Sequence, residues 1–572
     1  MHHQIVCARL ALIGAFIGCF ALNQMAMAQS NIRPPDAGAL QRQIERERFT
    51  PWVPRNGLSG PDTEVRPTDS QDTTMVFVRR FLFQGNTLLS SEVLTQLLKD
   101  STLQNLTTNQ LYAAAEKVRQ AYTDAGLMAD VSLPNQDVTQ GDIRFKIIEA
   151  TLGEVVFMGE PPSQIRQDHI RKIFNAHLSP GEIFSVQPVE RALLVAQELP
   201  GMSIKHHIGQ WISDTSPRNM YLDVTSLPTH SADIILDNAG ARSTGRERAW
   251  TNFKVSNALG LGEQSIFSLL KTDGSTYLRG ETSWPLGYRG WRLSLYDAHL
   301  SYRLVAPEFV ATRAQGTSNT LGLSVTYPLK LTSYQSLLVN FQAERKGFDN
   351  QSNGATESQY KSTALGAGLT FNAKDDLNQV SKASLQWLQG QLNLNGSPTQ
   401  SRDAAGAQTA GRFGKWQYSL SRLRPLGSHW EAYAAFNGQW ANKNLDSSEK
   451  FTLGGEGGVR AYPGSEGVGA QGKVANLELR WRATNADTLV GFYDWGQVTL
   501  LRDNPSATAL NAYALKGAGL GWILQMPDNS RIKFSWARRI GNNPNPSNTG
   551  TDQDGSLIRN RYWLSASVPF AL

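Results

Sequence analysis

Only two cysteines, Cys7 and Cys19, occur in the 572 residues. Both lie in a stretch, 1–28, built like a secretory leader: an apolar run from Leu10 to Leu22, then Ala26-Met27-Ala28 ahead of Gln29. A lipoprotein reading through Cys19 fits poorly, because bulky Phe16 and Ile17 precede it. Without the leader the chain has no thiol, which excludes disulfides, thiolate metal sites and a cysteine nucleophile. Histidines are few, nine in all, and scattered; the adjacent pair His206-His207 would face opposite sides of a strand. No Ser/His/Asp spacing, metal-ligand set or phosphate-cradling loop is present, so neither a catalytic site nor a cofactor is expected. Net charge is +6, yet there are no Lys/Arg runs of the kind that bind nucleic acid. After residue 28 no stretch has 18 continuous apolar residues, so no spanning helix is expected. A soluble exported protein and an outer-membrane β-barrel, whose alternating strands escape hydropathy windows, both remain.

Residues 29–72 are polar and interrupted by Pro34, Pro35, Pro51, Pro54, Pro61 and Pro67. Between them, Ala39 to Phe49 is mostly strong helix formers, with only Leu40, Ile44 and Phe49 large and apolar. A solvated linker helix fits this composition. So does a plug helix in a water-filled lumen, where no apolar stripe is needed.

Residues 73–150 and 151–227 read as two copies of one α+β unit. In the first, Met75 to Phe83 is a strand, Ser90 caps a helix through Leu98, and Thr107 with Gln110 forms a capping box. In the second helix Leu111, Ala114, Val118 and Tyr122 share a face, and Gly126 closes it. Strands follow at Ala129 to Leu133 and Asp142 to Ile148. The second copy places strands at 153–158, 202–208 and 220–224 around helices at 167–175 and 186–199. Three-stranded sheets leave an open edge that can accept an extended peptide.

From about residue 231 the pattern becomes short alternating segments between turn residues, and 12 of the 14 tryptophans lie there. Ser265 to Lys271, Trp291 to Tyr296, Ser336 to Gln342, Trp430 to Phe436 and Ala475 to Trp481 are examples. At the end, Tyr562, Leu564, Ala566, Val568, Phe570 and Leu572 face one way and Trp563, Ser565 and Ser567 the other. Tyr562 and Phe570 would be about 20 Å apart along a membrane normal, close to two aromatic girdles. Residues 228–572 have room for roughly 16 strands, with about 14 to 18 plausible. A barrel that wide has a lumen. A soluble β-sandwich or solenoid is the alternative.

Within this region, residues 451–473 hold eight glycines, with Val459, Arg460, Ala461, Tyr462 and Pro463 at the centre. Such a loop is pliable but cannot form a core alone. It offers one fixed cation and one aromatic ring. Its carboxylates, Glu456 and Glu466, read as solvated.

Four stretches carry a family resemblance. They are Leu133 to Gly141 leading to Ile147-Ile148-Glu149; Leu236 to Arg246; Gly454-Gly455 with Val459 to Pro463; and Gly491-Phe-Tyr-Asp-Trp-Gly496. In that order they resemble the outer-membrane transporters of two-partner secretion (TpsB type: FhaC, ShlB, HecB), within the BamA-like superfamily. The resemblance covers essentially the whole chain after the leader. It implies two POTRA domains, 73–150 and 151–227, followed by a transmembrane antiparallel barrel, 228–572, with 451–473 folded into its lumen. Arg460 would pair with Asp494 on the inner wall, the planar guanidinium fork meeting the carboxylate bidentately. In a wet lumen that pair would be screened and mainly positional. Alternation puts Phe492 inward beside Asp494, with Tyr493 and Trp495 toward lipid. Ala461 replaces a usual glycine, and Ala470 stands where an acid is expected.

The implied function is a non-enzymatic pore in the bacterial outer membrane that recognises an unfolded exported partner through periplasmic POTRA domains. In the first of these the groove would involve Leu111, Tyr122, Val131 and Leu133. The implied partners are a large secreted TpsA-type exoprotein and outer-membrane lipid, including lipopolysaccharide; the barrel would be monomeric. A BamA-type insertase is the alternative, though insertases usually carry more POTRA domains. A plain porin has no reason to carry about 150 residues of such repeats.

Overall fold

The computed structural model describes residues 34–46, 75–159, 166–209, 216–504 and 510–571. The leader expected at 1–28 and most of the linker lie outside those ranges. The first described element is helix α1, Ala37–Arg46.

In the first α+β unit, β1 (Met75–Val78) and β2 (Arg80–Gln84) divide what reads as one strand in the sequence. The Gly141 carbonyl accepts from both Arg79 N (2.7 Å) and Arg80 N (3.3 Å), which redirects the chain between them. β1 then pairs antiparallel with β3 (Gln104–Thr107), a short polar strand with no apolar alternation to reveal it. Helix α2 (Ser91–Leu97) is capped by Ser90, and α3 (Thr108–Asp124) by the Thr107/Gln110 box. Gly126 follows α3 at φ +73°. β2 runs parallel to β5 (Asp142–Glu149), and β5 antiparallel to β4 (Ala129–Ser132), giving the order β2-β5-β4.

The second unit repeats this topology. β6 (Thr151–Phe157) is followed by α4 (Gln167–His177), α5 (Val186–Gln197), β7 (Met202–Ile208) and β8 (Pro217–Ser226). β6 is parallel to β8, and the order is β6-β8-β7. In both units the last strand is central in the three-stranded sheet and parallel to that sheet's first strand. The second unit rests on barrel turns. Glu190 accepts from Ser333 N and Oγ at 3.1 and 2.9 Å, and Leu331 joins the unit's own apolar core.

Sixteen strands, from His230–Asp237 to Asn560–Ala571, form a closed barrel. This agrees with the strand number expected from length. Every neighbouring pair is antiparallel, and the last strand closes on the first from Ser565↔Asp237 to Ala571↔Ser231. Alternation sorts residues between lipid and lumen. In Ala355–Lys374, Lys361, Thr363 and Leu365 are exposed outward, while Tyr360, Ser362 and Ala364 are buried inward. In the closing strand Tyr562 is exposed and Trp563 is buried.

Candidate functional site: a loop and a helix inside the barrel

The glycine-rich loop joins strands Trp430–Ala441 and Gln471–Arg482. Its legs, Phe451–Thr452 and Val468–Gly469, pair antiparallel. Its tip folds back, with Gly454 N donating to Glu466 O (3.0 Å) and Val459 N to Leu453 O (2.8 Å). Leu453, Val459, Ala461 and Tyr462 are buried against Val474, Val490, Phe492 and Leu515, which project from three consecutive wall strands. A missing side chain on the wall makes the approach possible: a Cβ added at Gly517 would lie 2.6 Å from Ala461 Cβ. Ala461 therefore fits because the residue facing it is glycine.

Arg460 is the centre of the contact. Its Nε donates to Asp494 Oδ2 (2.9 Å), its Nη2 to Oδ1 (2.7 Å), and its backbone N to Oδ2 (3.0 Å). Nη1 donates to Glu478 Oε1 at 2.8 Å, and the guanidinium lies 3.5 Å above the Phe492 ring centroid. Asn476 Nδ2 joins Asp494 Oδ1 to Gly458 O, each at 2.8 Å, and Trp563 Nε1 donates to Arg460 O at 2.8 Å. Asp494 is 0% and Arg460 4% exposed, so the pair is dry, contrary to the expectation of a screened one. Removing one partner from such a pair costs about 3–5 kcal/mol, because the other charge stays buried.

Tyr462 lies under Arg539, whose Cζ is 4.6 Å from the ring centroid. Arg539 in turn pairs with Asp552, in the segment joining the last two strands. Pro463 turns the tip, its carbonyl accepting from Glu466 N at 3.0 Å. The loop carboxylates are not solvated as expected: Glu456 pairs with Lys533 at 2.7 Å, and Glu466 is fully buried, accepting from Gln553 N at 2.9 Å. Ala470 packs with Phe413, Ala441 and Leu445, which leaves no setting for an acid. A carboxylate at the base of the loop is instead Glu449, paired with Lys415 (2.6 Å) and Lys346 (3.4 Å) from the wall.

Glu478 and Asn476 have no role in the sequence reading, and Trp563 enters it only as one face of the closing strand. Glu478 and Asn476 were within reach, since strand alternation from Val474 puts both inward, level with Phe492 and Asp494. Glu449 and Trp563 come from distant segments with no spacing signal.

Helix α1 lies inside the barrel, with one face on the wall and another on this loop. Ala37, Leu40 and Ile44 pack with Trp250, Tyr277, Leu300 and Tyr302. The helix thus does use a narrow apolar stripe, which a wholly wet lumen would not require. Gln41 donates to Thr320, and Ala37 N to Asn350 Oδ1 at 2.8 Å. Toward the loop, Asp36 accepts from Ser447 Oγ (2.8 Å), and Arg46 donates to Thr452 O (3.0 Å) and Gly454 O (3.1 Å).

In the first unit, Leu111 and Tyr122 do not line a groove: they are buried on the face of α3 that packs on the sheet. Val131 and Leu133 are only half-buried, on or beside β4 at the sheet edge. Tyr122 Oη donates to Glu149 Oε1 (2.8 Å), which also accepts from Thr87 N and Leu88 N at 2.8 Å. Burial pushes the Glu149 carboxyl up, but the hydrogen bonds from Thr87, Leu88 and Tyr122 outweigh it and hold it below its usual range.

A closed sixteen-stranded barrel with α+β units ahead of its first strand, and an inward loop whose arginine meets a wall aspartate, define an outer-membrane barrel transporter with its own periplasmic domains. The chain belongs to the haemolysin secretion/activation protein family ShlB/FhaC/HecB, whose profile matches residues 221–524. The profile of the ShlB-type POTRA domain matches residues 76–150. Similar proteins include the heme/hemopexin transporter protein HuxB of Haemophilus influenzae, 22% identical over 96% of this chain and 97% of the relative. The outer membrane transporter CdiB of Dickeya dadantii is 22% identical over 71% and 72%. Among solved structures, CdiB from Escherichia coli superposes with a TM-score of 0.69 at 17% identity, covering 96% of this chain and all of that one. BamA from Haemophilus ducreyi lacking POTRA domains 1–3 gives 0.53 at 15% identity, over 87% of this chain. These likenesses are of fold. The chain is thus an outer-membrane transporter of two-partner secretion, which moves a partner protein across that membrane.

Proposed function

We propose that the pore rests closed, with α1 and the loop 451–473 together filling the lumen, and opens when an incoming partner displaces α1. The observation that carries this reading is α1 itself, seated on the wall by Leu40 and Ile44 and tied to the loop by Arg46. The loop is held separately by Arg460 on Asp494 and Glu478, so α1 can leave while Val459, Arg460, Tyr462 and Pro463 stay in place.

The unit at 151–227 acts as a second POTRA domain in this scheme, docked to the barrel. The partner, a large unfolded TpsA-type exoprotein, adds as a strand to the edge of β4, where Val131 and Leu133 offer apolar footing. The barrel acts as a monomer in outer-membrane lipid that includes lipopolysaccharide. No catalytic step is required, because folding of the partner outside draws it through. Deleting residues 29–72 should raise single-channel conductance in planar bilayers; conductance equal to that of the full chain would defeat the plug.

A further inference from the structure

Among the described residues the lipid-facing wall carries several exposed cations without partners, Arg303, Lys516 and Arg538 among them, and three lie together. Arg345, Lys361 and Arg412 all point outward and are exposed, on three strands of the barrel. None makes a hydrogen bond or ion pair with any described residue. Unpaired cations on a barrel's outer wall are unfavourable within the hydrocarbon and tolerated at its edge. Arg345, Lys361 and Arg412 are neighbours, whereas Arg303, Lys516 and Arg538 stand on other strands. Arg345 is level with Thr363, Thr363 with Gln391, and Gln391 with Arg412, one row across four strands. At the spacing of paired strands the two arginine backbones lie about 14 Å apart. Lys361 stands next outward from Thr363 on the same face, within reach of long side chains.

The row borders a shallow depression of about 760 Å³ on this wall. Arg345, Gln391 and Arg412 line one part, and Leu321, Leu323 and Leu365 line another. All three leucines are exposed, Leu365 at 68%. Toward the periplasm from the row, Trp387 pairs with Trp416, rings 5.0 Å apart, and Trp416 with Trp440. Tryptophans on a barrel's outer wall mark the membrane–water interface. The strand Gly411–Pro425 begins at a loop on the far side from the periplasmic units, so Arg412 lies on the extracellular side of these rings. A cationic rim, an apolar floor and an aromatic belt thus meet where headgroups of the outer leaflet lie. Three acids lie near: Asp297, two strands from Arg345 in the same row beyond Leu321; Asp349, outward beside Gly347, which is level with Lys361, and held by Gln351 and Gln359; and Glu344, which lines the depression but is held by Tyr296 and Lys346.

We propose that this patch is a binding site for a phosphate-bearing glycolipid of the outer leaflet. Its phosphates meet Arg345 and Arg412, Lys361 reaches the headgroup, and acyl chains lie on Leu321, Leu323 and Leu365. The inference rests on the outer-membrane placement above and gives lipopolysaccharide a site on the chain. Arginine suits the role because its guanidinium meets phosphate bidentately.

The test uses the full chain in nanodiscs of neutral lipid, titrated with lipid A and with dephosphorylated lipid A and read by native mass spectrometry. Wild type should bind the phosphorylated form at least tenfold more tightly. Arg345→Gln with Arg412→Gln should abolish the preference, whereas Arg422→Gln with Arg424→Gln, outward at the other end of the same strand, should keep it. Equal affinity of wild type for both forms would overturn the proposal without any variant. So would an unchanged preference in the double variant, or equal competition by phosphatidylglycerol. Export of the partner is measured in parallel: normal export by a variant that has lost the preference supports the site and leaves the pore reading intact. Equal affinity of wild type with normal export removes only the lipid site.

Discussion

At the scale of single residues, the lumen contact depends on Arg460 as a shape as much as a charge. It gives Nε and Nη2 to Asp494 and Nη1 to Glu478 while lying on Phe492. A lysine cannot fill these three roles together. Arg460→Lys should therefore fall well short of wild type in export, and Arg460→Ala should fall further. In a double-mutant cycle with Asp494→Asn the coupling should reach about 3 kcal/mol in loop stability, read by hydrogen exchange across 451–473. Additive effects would show that the two charges do not act as a pair. In the first POTRA domain, Glu149 has its folded-state carboxyl held below the usual value. Its stabilising contribution is present above the unfolded-state value, near pH 4, and is lost as pH falls through the folded one. Hydrogen-exchange protection of β5 in the full chain should be flat near neutral pH and fall in acid. Glu149→Gln should flatten that fall and lower protection at neutral pH by about 1–3 kcal/mol; an unchanged acid profile would contradict this role.

At the scale of elements, the strands and most helices were legible because alternation and capping are local. Thr107 and Gln110 announce their helix, and the closing strand shows its two faces in the sequence alone. Phe492 beside Asp494 followed from the same rule. The split at Arg79 was not legible, because it depends on the carbonyl of Gly141, 62 residues away. Leu111 and Tyr122 were placed on one face correctly, but a periodic face is as readily a core face as a groove. The loop's seat on the wall was hidden for a related reason: it depends on a bare Gly517 facing Ala461. Gly517→Val should dislodge the tip and depress export, with the barrel still forming as judged by heat-modifiable migration. Wild-type export from that variant would mean that the tip need not pack there.

At the scale of the whole molecule, two contacts among the described residues tie the barrel to what lies ahead of it. One is the second unit on the barrel turns, through Glu190 and Leu331. The other is α1 between the wall and the loop. The pore reading turns on whether α1 must leave for the partner to pass. A Cβ added at Gly38 would lie 3.0 Å from Ser448 Cβ, just short of the roughly 3.5–4.5 Å a disulfide spans, so a small outward shift of α1 brings the pair into range. The only native cysteines, Cys7 and Cys19, lie in the expected leader, so an introduced pair has no competitor after cleavage. Gly38→Cys with Ser448→Cys, oxidised, should hold α1 in the lumen and stop export of the partner protein, and reductant should restore it. Export at the wild-type rate with the cross-link formed would contradict a pore closed by its own helix.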